Sequence, residues 1–317
     1  MAVVARSVVV GVDAGGTASK AVVVDETGAV LGRGSAGPGN PAAGGPAAAR
    51  AIGSALRAAL GPAPATVTSG VVGVAGASAL ADPAIAAAFA AEWEALGLRC
   101  PMRIAGDAVT AFAAGGDWAS GAVLIAGTGA VAALVEGFEI TRVADGLGWL
   151  LGDEGSGMWL GLRAVRLAAR RWRAPLARRV AAHAGAATAD DLVYWAQALP
   201  PFGALAPVVC ELADAGDPDA SAITTEAARR LVATLDELEA PGAPVVLAGG
   251  LLVADTPVRR GVLARLAARG ATVGTAHDPA LGAARLALRS TAQATTNAAF
   301  DTAFRGSAHR PGPRRSQ

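Results

Sequence analysis

Cysteine is nearly missing from this chain of 317 residues. Cys100 and Cys210 stand far apart, in no Cys-x-x-Cys pair and beside no histidine, so the spacing argues against a zinc site or an iron–sulfur cluster within one chain. The three histidines, His183, His277 and His309, form no constellation. Lysine occurs once, at Lys20, and arginine carries the remaining positive charge. With 27 basic against 26 acidic residues the net charge is +1, which gives no electrostatic reason for a nucleic-acid or membrane partner. The arginines of Arg170-Arg171-Trp172-Arg173 and Arg178-Arg179 read as a solvated helix face. Hydrophobic residues reach 53%, mainly as alanine and valine, yet no uninterrupted apolar run could span a bilayer. Met1 to Arg6 lead straight into an apolar stretch with no signal-peptide pattern, so a cytoplasmic protein is expected. There is no Gly-x-x-x-x-Gly-Lys-Ser/Thr, and Gly146-Leu147-Gly148 is only a partial Gly-x-Gly-x-x-Gly, so P-loop and dinucleotide-binding readings fail on spacing.

What is present starts at Val8-Val9-Val10-Gly11-Val12-Asp13-Ala14-Gly15-Gly16-Thr17, followed by Ala21-Val22-Val23-Val24. The pattern predicts strand, tight turn, strand, with backbone amides and a hydroxyl gathered beside a carboxylate. Those are the parts that hold a phosphate and its magnesium ion, although Gly-Gly between two strands also serves as a plain hairpin turn. The pattern returns at Ala122 to Val135, where Gly127-Thr128-Gly129 separates two apolar runs, and the repeat suggests a duplicated architecture clasping one nucleotide. A third turn, Gly249-Gly250, follows Pro244-Val245-Val246-Leu247-Ala248 and could open a helix beside a purine.

Three further segments carry polar groups that chemistry could use. Arg103-Ile104-Ala105-Gly106-Asp107 predicts a strand ending in an acid at the mouth of a helix. Asp107 there could accept the proton of an attacking hydroxyl, or could simply cap the helix. Gly152-Asp153-Glu154-Gly155-Ser156 places two acids and a serine in a glycine-permitted loop ahead of an amphipathic helix from Trp159 to about Trp172. Asp153, Glu154 and Ser156 could accept hydrogen bonds from ligand hydroxyls, cap the helix, or do both. Asn40, in Gly37-Pro38-Gly39-Asn40-Pro41, offers donor and acceptor in one group, or is an ordinary turn residue. Gly73-Val74-Ala75-Gly76 has no side chains to offer beyond clearance.

Together these motifs resemble the N-acetylglucosamine kinase and BadF/BadG-type ATPase group of the actin-like ATPase superfamily, over about Val8 to Leu288. The Gly-Asp-Glu-Gly-Ser string is its most specific mark. The resemblance implies an α/β fold of two ribonuclease H-like (actin-like ATPase) domains with an interdomain cleft. It also implies an ATP-dependent sugar kinase acting on an amino sugar, at the 6-hydroxyl by analogy, with ATP and Mg2+ as cofactors and a homodimer as the assembly. On that template Gly15, Gly16, Thr17, Lys20, Gly127, Thr128 and Gly129 would contact the phosphates, and Gly249 and Gly250 would border the adenosine. Asp13 would orient magnesium, directly or through water, and Asp107 would be the base. Asn40, Asp107, Gly129, Asp153, Glu154 and Ser156 would meet the sugar. The chain departs from the pattern at Ala18, where many relatives carry Lys or Arg, which leaves Lys20 as the basic group. It departs again at Ala130-Val131, which offers no side-chain hydrogen bond where relatives have serine, a mark against N-acetylglucosamine itself as substrate. The scarcity of cysteine separates the chain from zinc-bearing ROK kinases and from the iron–sulfur activators on the same fold. A nucleotide-driven activator or switch and a non-catalytic sugar sensor stay open as alternatives, the sensor disfavoured by the presence of both Asp13 and Asp107.

The expected organisation is a first domain at 1–117, with Gly115-Gly116-Asp117 as a hinge, and a second at 118–290 whose last helix, from Asp278-Pro279, packs back toward the first. Residues 291–317, rich in Arg, Gly, Pro and Ser toward the end, are expected to form a disordered tail. Pro200-Pro201 and Gly216-Asp217-Pro218 punctuate the helical stretch between.

Overall fold

The computed structural model describes residues 6–62, 65–137 and 139–291. The expected tail, Thr291 apart, and the first five residues lie outside the described residues. Contacts divide the chain into two compact units, one running to Asp107 and resuming at Ala280, the other spanning Ala108–Pro279.

The first unit is built on β1 (Arg6–Ala14), β2 (Ser19–Asp25), β3 (Val30–Ala36), β4 (Ala65–Val74) and β5 (Met102–Gly106), in the order β3-β2-β1-β4-β5. β1 pairs antiparallel with β2 and parallel with β4, and β4 is parallel to β5. Val8, Val9, Val10 and Val12 are all buried, because a central strand covered on both faces needs an unbroken apolar run rather than alternation. One face carries α2 (Ala47–Leu60), through Ala49, Ile52, Ala55, Leu56 and Ala59, and α3 (Pro83–Ala95), through Ile85 and Phe89. The short α1 (Pro41–Gly44) precedes them. The other face receives the helix at 279–291: a Cβ on Gly11 would fall 2.2 Å from the Ala280 carbonyl oxygen. Only glycine allows that approach.

The second unit repeats the plan. Its strands are β6 (Ser120–Ala126), β7 (Ala130–Glu136), β8 (Glu139–Asp145), β9 (Val245–Ala248) and β10 (Val273–Thr275), in the order β10-β9-β6-β7-β8. Strand for strand, β6 to β10 match β1 to β5 in pairing and direction. The duplication read from two glycine turns is therefore a duplication of whole sheets. β8 lacks the alternation that marks a strand, since five of its seven residues are exposed, and only its pairing with β7 reveals it.

α4 (Asp107–Gly115) packs on one face of this sheet, where Gly115 lies against Val246. The other face carries α5 (Gly157–Arg170), α6 (Pro175–Ala184), α7 (Ala189–Gln197), α8 (Ala206–Asp214), α9 (Pro218–Asp236) and α11 (Pro257–Ala267). They enclose Leu160, Leu176, Leu192, Leu231, Leu252 and Leu266, all almost fully buried. Each such leucine contributes about 1.5–3 kcal/mol, which offsets the small apolar area of the alanine-rich surroundings. The four-residue α10 (Gly250–Val253) lies between β9 and α11. Among the described residues, four helices open with a side-chain cap followed by proline: Asn40-Pro41, Asp82-Pro83, Asp217-Pro218 and Thr256-Pro257. Among the described residues, no helix is long and apolar enough to cross a membrane.

Candidate active site

In the first unit the register brings the sequence-derived residues to one edge. Ala14 of β1 is level with Val74 of β4, and Val74 with Gly106 of β5. The segments leaving these strands, Gly15 to Ala18, Ala75-Gly76 and Asp107, therefore emerge side by side at the carboxyl ends of three parallel strands, where open α/β sheets bind ligands. At about 4.8 Å per strand, Asp107 starts roughly 10 Å across the sheet from the end of β1.

The first turn closes with Gly15 N donating to Ala18 O at 3.0 Å, and Gly39 N donates to Gly15 O at 2.9 Å. The buried Ser19 hydroxyl donates to Gly37 O at 3.0 Å, so the Gly37–Asn40 segment is fastened to the turn at two points. Gly16 and Thr17 are exposed, and among the described residues their amides donate to no protein acceptor. Asp13 is half-buried on β1, and Lys20 is its direct partner on β2. Asn40 caps α1, its Oδ1 accepting from Ala42 N at 2.8 Å. That bond uses one lone pair of the oxygen, and the amide NH2 offers two donors to a ligand. Gly76, with φ at +74°, supplies the clearance: a Cβ there would lie 2.8 Å from Asn40 Oδ1. Asp107 is the first residue of α4 and half-buried.

In the second unit Gly127 N donates to Gly129 O at 2.9 Å, closing the second turn. The carbonyls of Gly127 and Thr128 accept from Gly157 N and Met158 N at 2.8 and 3.1 Å. The start of α5 thus occupies the turn's oxygens. Among the described residues, the Thr128 and Gly129 amides have no protein acceptor, so this turn too presents donors. Gly249 and Gly250 follow β9, which is parallel to β6, and Gly249 is the N-cap of α10.

The acidic loop is more tightly held than its composition indicates. Asp153 adopts φ +55°, and its Oδ1 accepts from Ala130 N at 3.0 Å. Burial pushes the Asp153 carboxyl up, the Ala130 hydrogen bond opposes this, and the charge of Asp145 adds to the rise. Glu154 is ion-paired with Arg230 of α9, which also pairs with Glu226 and lies over the Trp159 ring at 5.4 Å. Ser156 is fully buried, and its Oγ accepts from Trp159 N at 3.1 Å as the cap of α5. Asp145 received no role from the sequence. It ends β8 with φ +61° and accepts from Asp153 N and Glu154 N at 2.7 and 2.8 Å. The unread strand β8 hid it.

Among the described residues no cluster of three or more His, Cys, Asp or Glu could hold a metal by itself. A carboxylate such as Asp13, half-buried near the end of β1 beside the first glycine turn, fits magnesium, which is commonly held by one or two carboxylates together with substrate phosphates and water.

Comparison with known proteins agrees with this architecture. A protein from Chromobacterium violaceum assigned as an N-acetylglucosamine kinase is 27% identical, with a TM-score of 0.70, over 89% of this chain and 99% of that one. A protein from Porphyromonas gingivalis with the same assignment is 22% identical, with a TM-score of 0.66, over 88% and 98%. A ROK family glucokinase from Streptomyces griseus, in complex with glucose and AMPPNP, shares the fold at 22% identity and a TM-score of 0.56, over 88% and 98%. No curated protein matches the sequence. With residues 10–287 matching its model, the chain belongs to the BadF/BadG/BcrA/BcrD ATPase family.

Proposed function

We propose that the protein is an ATP-dependent sugar kinase acting on an amino sugar, at the 6-hydroxyl. The observation that carries this reading is the common edge of β1, β4 and β5. It gathers a donor-presenting turn, the Asn40 loop and Asp107, one place for a phosphate and one for a hydroxyl-bearing acceptor. The 27% identity with the Chromobacterium violaceum protein supports it.

On this reading the amides of Gly16 and Thr17 and of Thr128 and Gly129 address the phosphates of ATP, with Lys20 adding a positive charge and Gly249-Gly250 leaving flat space for the purine. Asp13 would hold Mg2+, which neutralises charge on the transferring phosphoryl group. Asn40 donates to a sugar hydroxyl. Asp107 accepts the proton of the attacking hydroxyl, and excluding water then keeps ATP from being hydrolysed. Asp153 and Glu154 border the sugar, with their backbone amides fixed by Asp145.

ADP release across glucosamine, N-acetylglucosamine, N-acetylmannosamine, N-acetylmuramic acid and glucose tests the reading. Sugar-dependent turnover that Asp107→Asn abolishes is expected. ATP binding with no turnover on any sugar would count against it and favour a nucleotide-driven switch.

A further inference from the structure

We propose that Asp145 is a positioning residue for the second glycine turn: it fixes the backbone of Asp153, whose carboxylate in turn holds the Ala130 amide and keeps the 127–129 turn in its donor-presenting shape. The functional half of this inference rests on reading that turn as a phosphate contact.

Asp145 is placed to act in both directions. Through its backbone it pairs with Val131 on β7, and Gly146 N next to it donates to Ala130 O at 3.1 Å. Through its side chain it takes the amides of Asp153 and Glu154, one on each oxygen. Ala130 is thereby gripped at both polar groups, its carbonyl by Gly146 and its amide by Asp153. The grip has no slack. A Cβ on Gly152 would fall 2.0 Å from Asp145 Oδ1, and one on Gly129 would fall 2.9 Å from Asp153 Oδ1. Ser156 N donates to Asp153 O at 3.1 Å, so the same loop passes directly into the helix whose first amides occupy the turn's carbonyls.

The two aspartates also hold left-handed backbone, which costs a non-glycine residue energy and persists only where surrounding bonds enforce it. Asparagine tolerates that backbone as well as aspartate does. Asp145→Asn therefore keeps size and conformation while replacing one acceptor oxygen with an N–H that faces another N–H. Asp145→Gly keeps the conformation and removes both acceptors.

The test measures amide hydrogen exchange at Ala130, Asp153 and Glu154 together with ATP affinity and steady-state kinetics, on the full chain. In both variants the three amides are expected to lose protection about tenfold or more while the far-UV spectrum is kept. ATP affinity should weaken about tenfold to a hundredfold, the range expected when buried amides lose their acceptors. KM for ATP should rise more than kcat falls. The double variant Asp145→Asn with Asp153→Asn should bind ATP no worse than the weaker single variant, because both act through Ala130. Unchanged exchange, or losses that add in the double variant, would overturn the proposal. Exchange judges the latch whether or not ATP binds, whereas failure of the unaltered protein to bind ATP would count against the kinase reading.

Discussion

Lys20, the only lysine in the chain, sits directly opposite Asp13 across the β1–β2 ladder. Directly opposed residues of an antiparallel pair project from the same face, with Cβ atoms about 5 Å apart. A cation and a carboxylate thus stand together at the mouth of the first turn, where Ala18 supplies no charge. Lys20→Ala is expected to raise KM for ATP about tenfold, corresponding to about 1.5 kcal/mol for a charged hydrogen bond. Lys20→Arg should retain most of the affinity. An unchanged KM in the alanine variant would remove Lys20 from the nucleotide site.

Asn40 separates capping from recognition. Asn40→Asp keeps the acceptor that caps α1 and loses the NH2, so KM for the sugar should rise about tenfold with thermal stability unchanged. Asn40→Ala should show the same rise together with about 1 kcal/mol of lost stability from the missing cap. Equal sugar KM values in the native protein and the aspartate variant would confine Asn40 to capping.

For Asp107, replacement by Asn preserves shape and removes the base. A fall in kcat of about 10²- to 10⁴-fold is expected, with the ATP dissociation constant little changed when measured by calorimetry. Turnover surviving the substitution would rule out Asp107 as the proton acceptor.

Acid stability should carry the mark of Glu226. Its hydrogen bond from Arg229, and secondarily that from Arg230, hold its carboxyl down at about 2, against an ordinary 4.5. A carboxyl whose folded value is depressed contributes stability that is complete above the unfolded value and is lost as pH falls through the folded one. Glu226→Gln should therefore melt at a lower temperature than the native protein at pH 7, and the two melting curves should converge between pH 4.5 and 2. Parallel curves through that window would show that the pair contributes nothing to folding.

Gly11→Ala tests the seating of the last helix on the first sheet. The added methyl meets backbone at Ala280 and Ala284, which cannot rotate away as a side chain could. A loss of about 3 kcal/mol or more in denaturant unfolding is expected. A loss below about 1 kcal/mol would mean the helix shifts freely.

By itself the sequence determined the parts that depend on local pattern: the apolar run of β1, the first two glycine turns, and the acid at the head of α4. Those features come from side-chain period, glycine placement and strand-to-helix punctuation, all of which lie within a dozen residues. The tertiary structure decided what depends on distant partners. β8 exists because β7 pairs with it, although its own residues are mostly exposed. Gly115 lies against Val246, a contact between residues far apart in the sequence. Asp145 gained its partners only when β8 delivered it to the Asp153 loop, and Asn40 became a cap only when α1 formed behind it. Hydrogen bonds between segments are invisible to periodicity, so the sequence named the chemical groups and the fold determined which of their atoms remain available to a ligand.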